Sequence, residues 1–174
     1  MRKRTVRAVL VTGLAVLLSG AGCGYKTATA GRAAQGKTLL VTPLVNKTTT
    51  FEVEQMMTRA LAKSFIEKSP YKVVNDMSKA DFVIKGEITA MNATPVIFGR
   101  ETFGSAFLVT LAAKVRLEDR KTGKVVFRND AYLFREQYEI NADTRNFFTE
   151  LNPALERIAS DFASSVVSTV LADF

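Results

Sequence analysis

Two stretches of this chain alternate apolar and polar residues, and the segments on either side repeat every three or four residues instead. A period of two marks a strand with one covered face, and a period of 3.6 marks an amphipathic helix. Ala80 to Ala90 sets Phe82, Ile84, Ile88 and Ala90 against Val83, Lys85, Glu87 and Thr89. Phe107 to Leu117 sets Phe107, Val109, Leu111, Ala113, Val115 and Leu117 against Thr110, Lys114 and Arg116. Both read as half-buried antiparallel strands. Lys121-Thr122-Gly123-Lys124 is a tight-turn sequence, and Val125 to Ile140 is a third long extended segment. Its phase slips near Asn129-Asp130, where a bulge would let Tyr132, Phe134 and Tyr138 share a face.

The flanking segments supply helices and short strands. Thr38 to Val45 is apolar and β-branched and ends at Asn46-Lys47, which predicts a strand and a turn. Thr49 with Glu52 three residues on forms a capping-box pattern, ahead of a helical face made by Val53, Met57, Ala60, Leu61, Ser64 and Phe65. Pro70 stops that helix, and Tyr71 to Asn75 can form a further strand. Asn152-Pro153 reads as N-cap and first-turn proline of a second helix. Its stripe is Leu155, Ile158, Ala159, Phe162, Ala163, Val166, Val170 and Leu171. The predicted fold is α+β: a two-layer sandwich whose mostly antiparallel or mixed sheet of four to five strands carries both helices on one face.

The first 37 residues follow other rules. Arg2, Lys3, Arg4 and Arg7 precede an apolar run from Ala8 to Leu18, then Ser19, Gly20, Ala21, Gly22 and the only cysteine, Cys23. This is the pattern of a secretory signal, and the cysteine directly after the small residues makes it a lipoprotein signal. The apolar run is about half the ~20 residues a bilayer span needs. Residues 1–22 are therefore expected to be a cleaved signal peptide, and residues 23–37 a lipidated N-terminus and tether. Residues 38–174 are then one domain. Acylation of Cys23 by a diacylglycerol and a further acyl chain such as palmitate would also consume an otherwise reactive thiol. Four of the 24 basic residues and none of the 17 acidic ones lie ahead of Cys23, so cleavage lowers the net charge from +7 to +3. With that, and with no basic run interleaved with aromatics, nucleic-acid binding loses its support.

Catalytic chemistry is sparse. The chain has no histidine, which removes the usual proton shuttle at neutral pH and the commonest metal ligand. Neither an enzyme nor a metal or cofactor site is expected. Ser69-Pro70-Tyr71-Lys72 and Lys121-Thr122-Gly123 match elements of penicillin-binding enzymes. The first nevertheless ends a helix where that mechanism needs a helix start, and the second makes a turn. Asn46-Lys47-Thr48 and Asn92-Ala93-Thr94 both fit the glycosylation pattern, which a bacterial lipoprotein would not use.

Several segments taken together resemble the LptE-like family of lipopolysaccharide-assembly lipoproteins. They are Cys23-Gly24-Tyr25, Val41 to Thr48 (VTPLVNKT), Ala80 to Ile88 (ADFVIKGEI), Pro95 to Phe98, Thr122 to Phe127, Phe134 to Ile140 and the ending Leu155 to Phe174. The resemblance implies a non-catalytic partner of an LptD-type outer-membrane β-barrel. Such a partner is lipid-anchored at the periplasmic face, plugs the barrel, helps it assemble and binds lipopolysaccharide. If 80–95, 105–119 and 125–140 are successive antiparallel strands, the connections at 96–104 and 141–150 share one end of the sheet. Arg100 and Arg145 would then meet there and pair with lipid A phosphates through bidentate forks. Phe98, Phe103, Phe147 and Phe148 would add apolar contact. In the alternative, both arginines are solvated and the aromatics pack on the domain or on the barrel wall. Two other functions fit the pattern. One is an activator of a peptidoglycan synthase, although a 24–37 tether reaches only ~50 Å at ~3.5 Å per residue. The other is an envelope enzyme with carboxylate chemistry.

Overall fold

The computed structural model describes residues 34–96, 106–139 and 147–173, with the backbone alone at 138, 139 and 147–151. In chain order the elements are β1 (Thr38–Val41), β2 (Val45–Asn46), α1 (Val53–Lys68), β3 (Lys72–Val73), a 3-10 turn (Met77–Lys79), β4 (Phe82–Val96), β5 (Ala106–Asp119), β6 (Val125–Glu139) and α2 (Phe147–Ala172). The six strands form one mixed sheet in the order β3-β1-β4-β5-β6, with β2 following β1 along the edge of β4. β1 pairs with β3 and β4, and β2 with β4, all in parallel; β4-β5-β6 is an antiparallel meander. Both helices lie on one face, so the α+β expectation holds.

The core is the seam between helices and sheet. Val53, Met57, Leu61 and Phe65 of α1 and Ile158, Phe162, Val166 and Val170 of α2 bury themselves against Ile84, Ile88, Val109, Leu111, Ala113, Val115 and Leu117. These are the faces the periodicities mark. Phe162 is fully buried and meets Tyr132 and Phe134 edge-on, with ring centroids 5.8 and 5.9 Å away. The β5–β6 register slips between Ala113 and Val115, where three steps of β6 oppose two of β5, and this brings Tyr132 and Phe134 onto the core face that Phe127 already occupies. This is the bulge expected near Asn129-Asp130. Folding also takes in Ala34, which is buried in the core and accepts the Lys37 N–H in a turn.

Four local expectations give way to stronger forces. The run Thr38–Val45 breaks into two strands at Pro43, which has no N–H for a ladder. Thr42 to Leu44 there oppose only Lys85 and Gly86 of β4. The clean alternation Ile84, Ile88, Ala90 fails because a second bulge at Thr89 puts Met91, not Ala90, beside the core. Thr49 does not cap α1: the helix starts at Val53, after Glu52 in the left-handed region at φ 63° with no side-chain cap. Finally, α2 begins at Phe147, so Pro153 lies inside it instead of starting it.

The hairpin turn beyond β5 is as read. Gly123 sits at φ 70°, Asp119 Oδ1 accepts the N–H groups of Lys121 and Thr122, and Gly123 N–H reaches Asp119 O at 2.8 Å. Ser69, at the end of α1, donates its hydroxyl to Phe65 O at 2.6 Å, while Lys72 lies in β3. Neither lookalike has enzymatic geometry.

Candidate functional site

Two of the motifs that carry the family resemblance, Val41 to Thr48 and Ala80 to Ile88, hold β1, β2 and α1 against the first half of β4. Asp81 clasps the start of the sheet: its Oδ2 accepts Thr38 N–H at 2.9 Å, and its own N–H donates to Thr38 Oγ1 at 2.9 Å. Hydrogen bonds from the Thr38 backbone and hydroxyl hold its carboxyl below the usual carboxylate range. Gly86 lies where the bulge at Pro43 drives Leu44 into the sheet. A Cβ there would stand 2.7 Å from Lys114 O and 2.8 Å from Leu44 Cδ2, so only glycine fits. The displaced Leu44 N–H is recovered by Thr58 Oγ1 of α1 at 3.0 Å.

Asn46 organises the connection from β2 to α1. Its Nδ2 donates to Thr50 O at 2.7 Å and to Glu54 Oε2 at 2.9 Å, while its Oδ1 accepts the Thr48 N–H and hydroxyl. Thr48 Oγ1 in turn accepts Thr50 N–H. The loop so pinned carries Phe51, which is 92% exposed.

That loop leaves the sheet where β4 loses its neighbour. Lys47 N–H donates to Ile88 O at 2.9 Å, the last described bond on this edge. Beyond the Thr89 bulge, no described strand pairs with Ala90 to Val96 on the side away from β5. Asn92, Ala93, Thr94 and Pro95 are all exposed.

The helix-free sheet face is also divided. Its near half is a lattice of ion pairs: Lys85 and Arg116 both reach Glu118, at 2.6 and 2.7 Å, and Arg128 meets Asp130 at 2.6 Å. Lys114 lies 3.8 Å from Glu87. A shallow recess of about 300 Å³ opens there between Pro43 and Lys85. Its cations are matched by carboxylates, and such exposed pairs contribute little to stability. In the far half, the register places Ala90, Asn92 and Thr94 beside Ala112, Thr110 and Leu108, and these beside Leu133, Arg135 and Gln137. Only Arg135 is charged in that group.

Of the residues singled out in the sequence, Cys23, Phe98, Arg100, Phe103 and Arg145 lie outside the described residues. Phe147 and Phe148 open α2. The strand ends that lead into 97–105 and 140–146 lie side by side, since Val96 pairs with Ala106 and Ala106 with Glu139. Among the described residues there is no group of three or more histidine, cysteine, aspartate or glutamate side chains placed to hold a metal ion. No helix among them is long and apolar enough to cross a membrane. Sequence reasoning passed over Phe51 and the edge of β4 that no described strand pairs. An aromatic between threonines and an acidic helix start was a visible signal for the first.

This arrangement, a mixed sheet with two helices on one face, is found in several solved bacterial proteins. PelC from Paraburkholderia phytofirmans, solved as a dodecamer, superposes with a TM-score of 0.55 at 15% identity, over 80% of this chain and 91% of that one. A DUF330 protein from Xanthomonas campestris gives 0.55 at 12% identity, over 79% and 85%. A lipoprotein from Caulobacter crescentus, described as putative, gives 0.52 at 13%, over 74% and 88%. The fold is thus one that bacterial lipoproteins use. The LptE lipopolysaccharide-assembly family matches residues 36–170, and the chain belongs to that family. It is a lipopolysaccharide-assembly lipoprotein of the cell envelope, associated with the lipopolysaccharide-transport machinery, in a family whose role is not enzymatic. No curated relative matches the sequence.

Proposed function

We propose that the protein is anchored to the periplasmic face of the outer membrane by lipid on Cys23, and plugs and helps assemble an LptD-type β-barrel that inserts lipopolysaccharide into the outer leaflet. The family match carries this reading, because it spans nearly the whole described domain. The signal-like residues 1–22 and the short 23–37 tether fit it, since they keep the domain within tens of ångströms of the membrane. Gly24 after the lipidated cysteine is compatible with sorting to the outer membrane. Lipopolysaccharide is bound at the sheet tip, where Arg100 and Arg145 pair with its phosphates.

Detergent extraction of the lipidated protein is expected to recover a large β-barrel in stoichiometric amount. Recovery of a peptidoglycan synthase, or of no partner, overturns the reading. Replacing Arg100 and Arg145 together by Glu should weaken binding of purified lipopolysaccharide with no change in the circular dichroism spectrum. Unchanged binding removes that part of the proposal alone.

A further inference from the structure

We propose that the edge of β4 from Ala90 to Val96, which no described strand pairs on the side away from β5, is, together with Phe51 on the loop that leaves β2, the surface on which the protein takes up its barrel partner by strand addition. The strand added is an extended, uncharged segment of that partner lying outside the closed barrel wall. The inference rests on the reading of the protein as a barrel partner.

The occupant follows from what the edge offers. An open strand edge presents a row of backbone N–H and C=O groups that another strand satisfies completely. Sheet edges are normally blunted by charge, by bulges or by a covering segment. The outer edge of β6 shows this protection: Arg128, Asp130, Arg135 and Glu136 lie along it, with a bulge after Asn129. Ala90 to Val96 carries no charge at all, and its single proline, Pro95, is a residue that strands accept only at an edge. Charge complementarity therefore selects an uncharged strand, since an added Lys or Glu would find no counter-charge along these seven positions.

Phe51, on the loop that follows the last described rung of this ladder, adds a second observation. A phenylalanine 92% exposed on a loop that Asn46 fixes with four hydrogen bonds is held in position outside the described core. Aromatic side chains presented in this way are typical binding anchors. The loop leaves β2 at Lys47, whose N–H takes the last described ladder position on this edge. The strands of a closed barrel already pair on both sides and have no edge to give. The added strand thus comes from a loop or terminal segment of the partner.

The test uses the full-length lipidated protein extracted in detergent, with a photoreactive phenylalanine analogue at Phe51, Asn92 or Leu133. Positions 51 and 92 are expected to cross-link to the barrel, and position 133, on the β6 side, is not. Phe51→Ala and Ala93→Asp should each lower barrel recovery about tenfold while the thermal melt stays where it was, because both side chains are exposed. Unchanged recovery with both variants, cross-linking through position 133 alone, or cross-links joining two copies of this chain would overturn the docking edge, with the barrel still present. If the unmodified protein recovers no barrel, the functional reading itself falls and takes the docking edge with it.

Discussion

The two halves of β4 are parts of one continuous strand, yet they differ in almost every physical respect. From Phe82 to Ile88 the strand has β1 and β2 on one side, β5 on the other, helices above and an ion-pair lattice below. From Ala90 to Val96 it has β5 on one side and, among the described residues, no strand on the other. Thr89 is the boundary. Two of the recognisable motifs, Val41 to Thr48 and Ala80 to Ile88, meet in the near half, and their residues have structural jobs: Asp81 clasps β1, Gly86 admits Leu44, and Asn46 shapes the loop. Motifs that identify a family can thus record how the domain holds together.

The largest expected effect contrasts one kind of change in the two halves. Gly86→Val drives its Cβ into the Lys114 carbonyl and Leu44, and should cost about 3 kcal/mol or more because a backbone atom cannot yield. Ala93→Val, in the exposed half, should stay within about 0.5 kcal/mol. Urea unfolding of the two variants measures the contrast, and comparable costs would erase the distinction between the halves. A second, smaller contrast uses the two Asn-x-Thr sites. Asn46→Ala removes the bonds to Thr48, Thr50 and Glu54 and should cost about 1–3 kcal/mol. Asn92→Ala should be neutral within about 0.5 kcal/mol, since Asn92 is exposed.

How much of this could be read beforehand depends on whether a local rule met a rival. The stripes of α1 and α2 and the face of β5 were legible because burial follows periodicity directly. The β6 bulge was legible too, since aromatic residues fell out of phase on either side of Asn129-Asp130. The β4 bulge was not: Ala90 and Met91 are both tolerable on a covered face, so alternation alone could not choose between them. The capping box at Thr49 lost to Asn46, a polar side chain three residues earlier that takes hold of the same loop from the strand side. That no described strand pairs with this edge beyond Thr89 was illegible, because it depends on where β2 stops, which is a fact of pairing. Arg100 and Arg145 lie outside the described residues, and their role rests on the binding experiment.

The smallest expected effect concerns charge, and it too belongs to the near half. Asp76, Asp81, Glu118 and Asp119 all have carboxyls held below their ordinary range by hydrogen bonds, and all lie around the end of the sheet where β4 begins. For Asp81 the main cause is the Thr38 N–H, followed by the Thr38 hydroxyl. A carboxyl with a lowered folded-state pKa binds fewer protons in the folded chain than in the unfolded one across the interval between the two values. Its stabilising contribution is therefore complete above the ordinary value of 3.8 and disappears as pH falls through the folded-state value. Asp81→Asn removes that contribution without changing the side chain's size. Urea midpoints of wild type and variant should differ at pH 6 and converge as the pH is lowered below 3.8, while both proteins still weaken in acid through the other three carboxylates. A difference that persists unchanged in acid would mean that the clasp on β1 depends on the shape of the side chain and owes nothing to its charge.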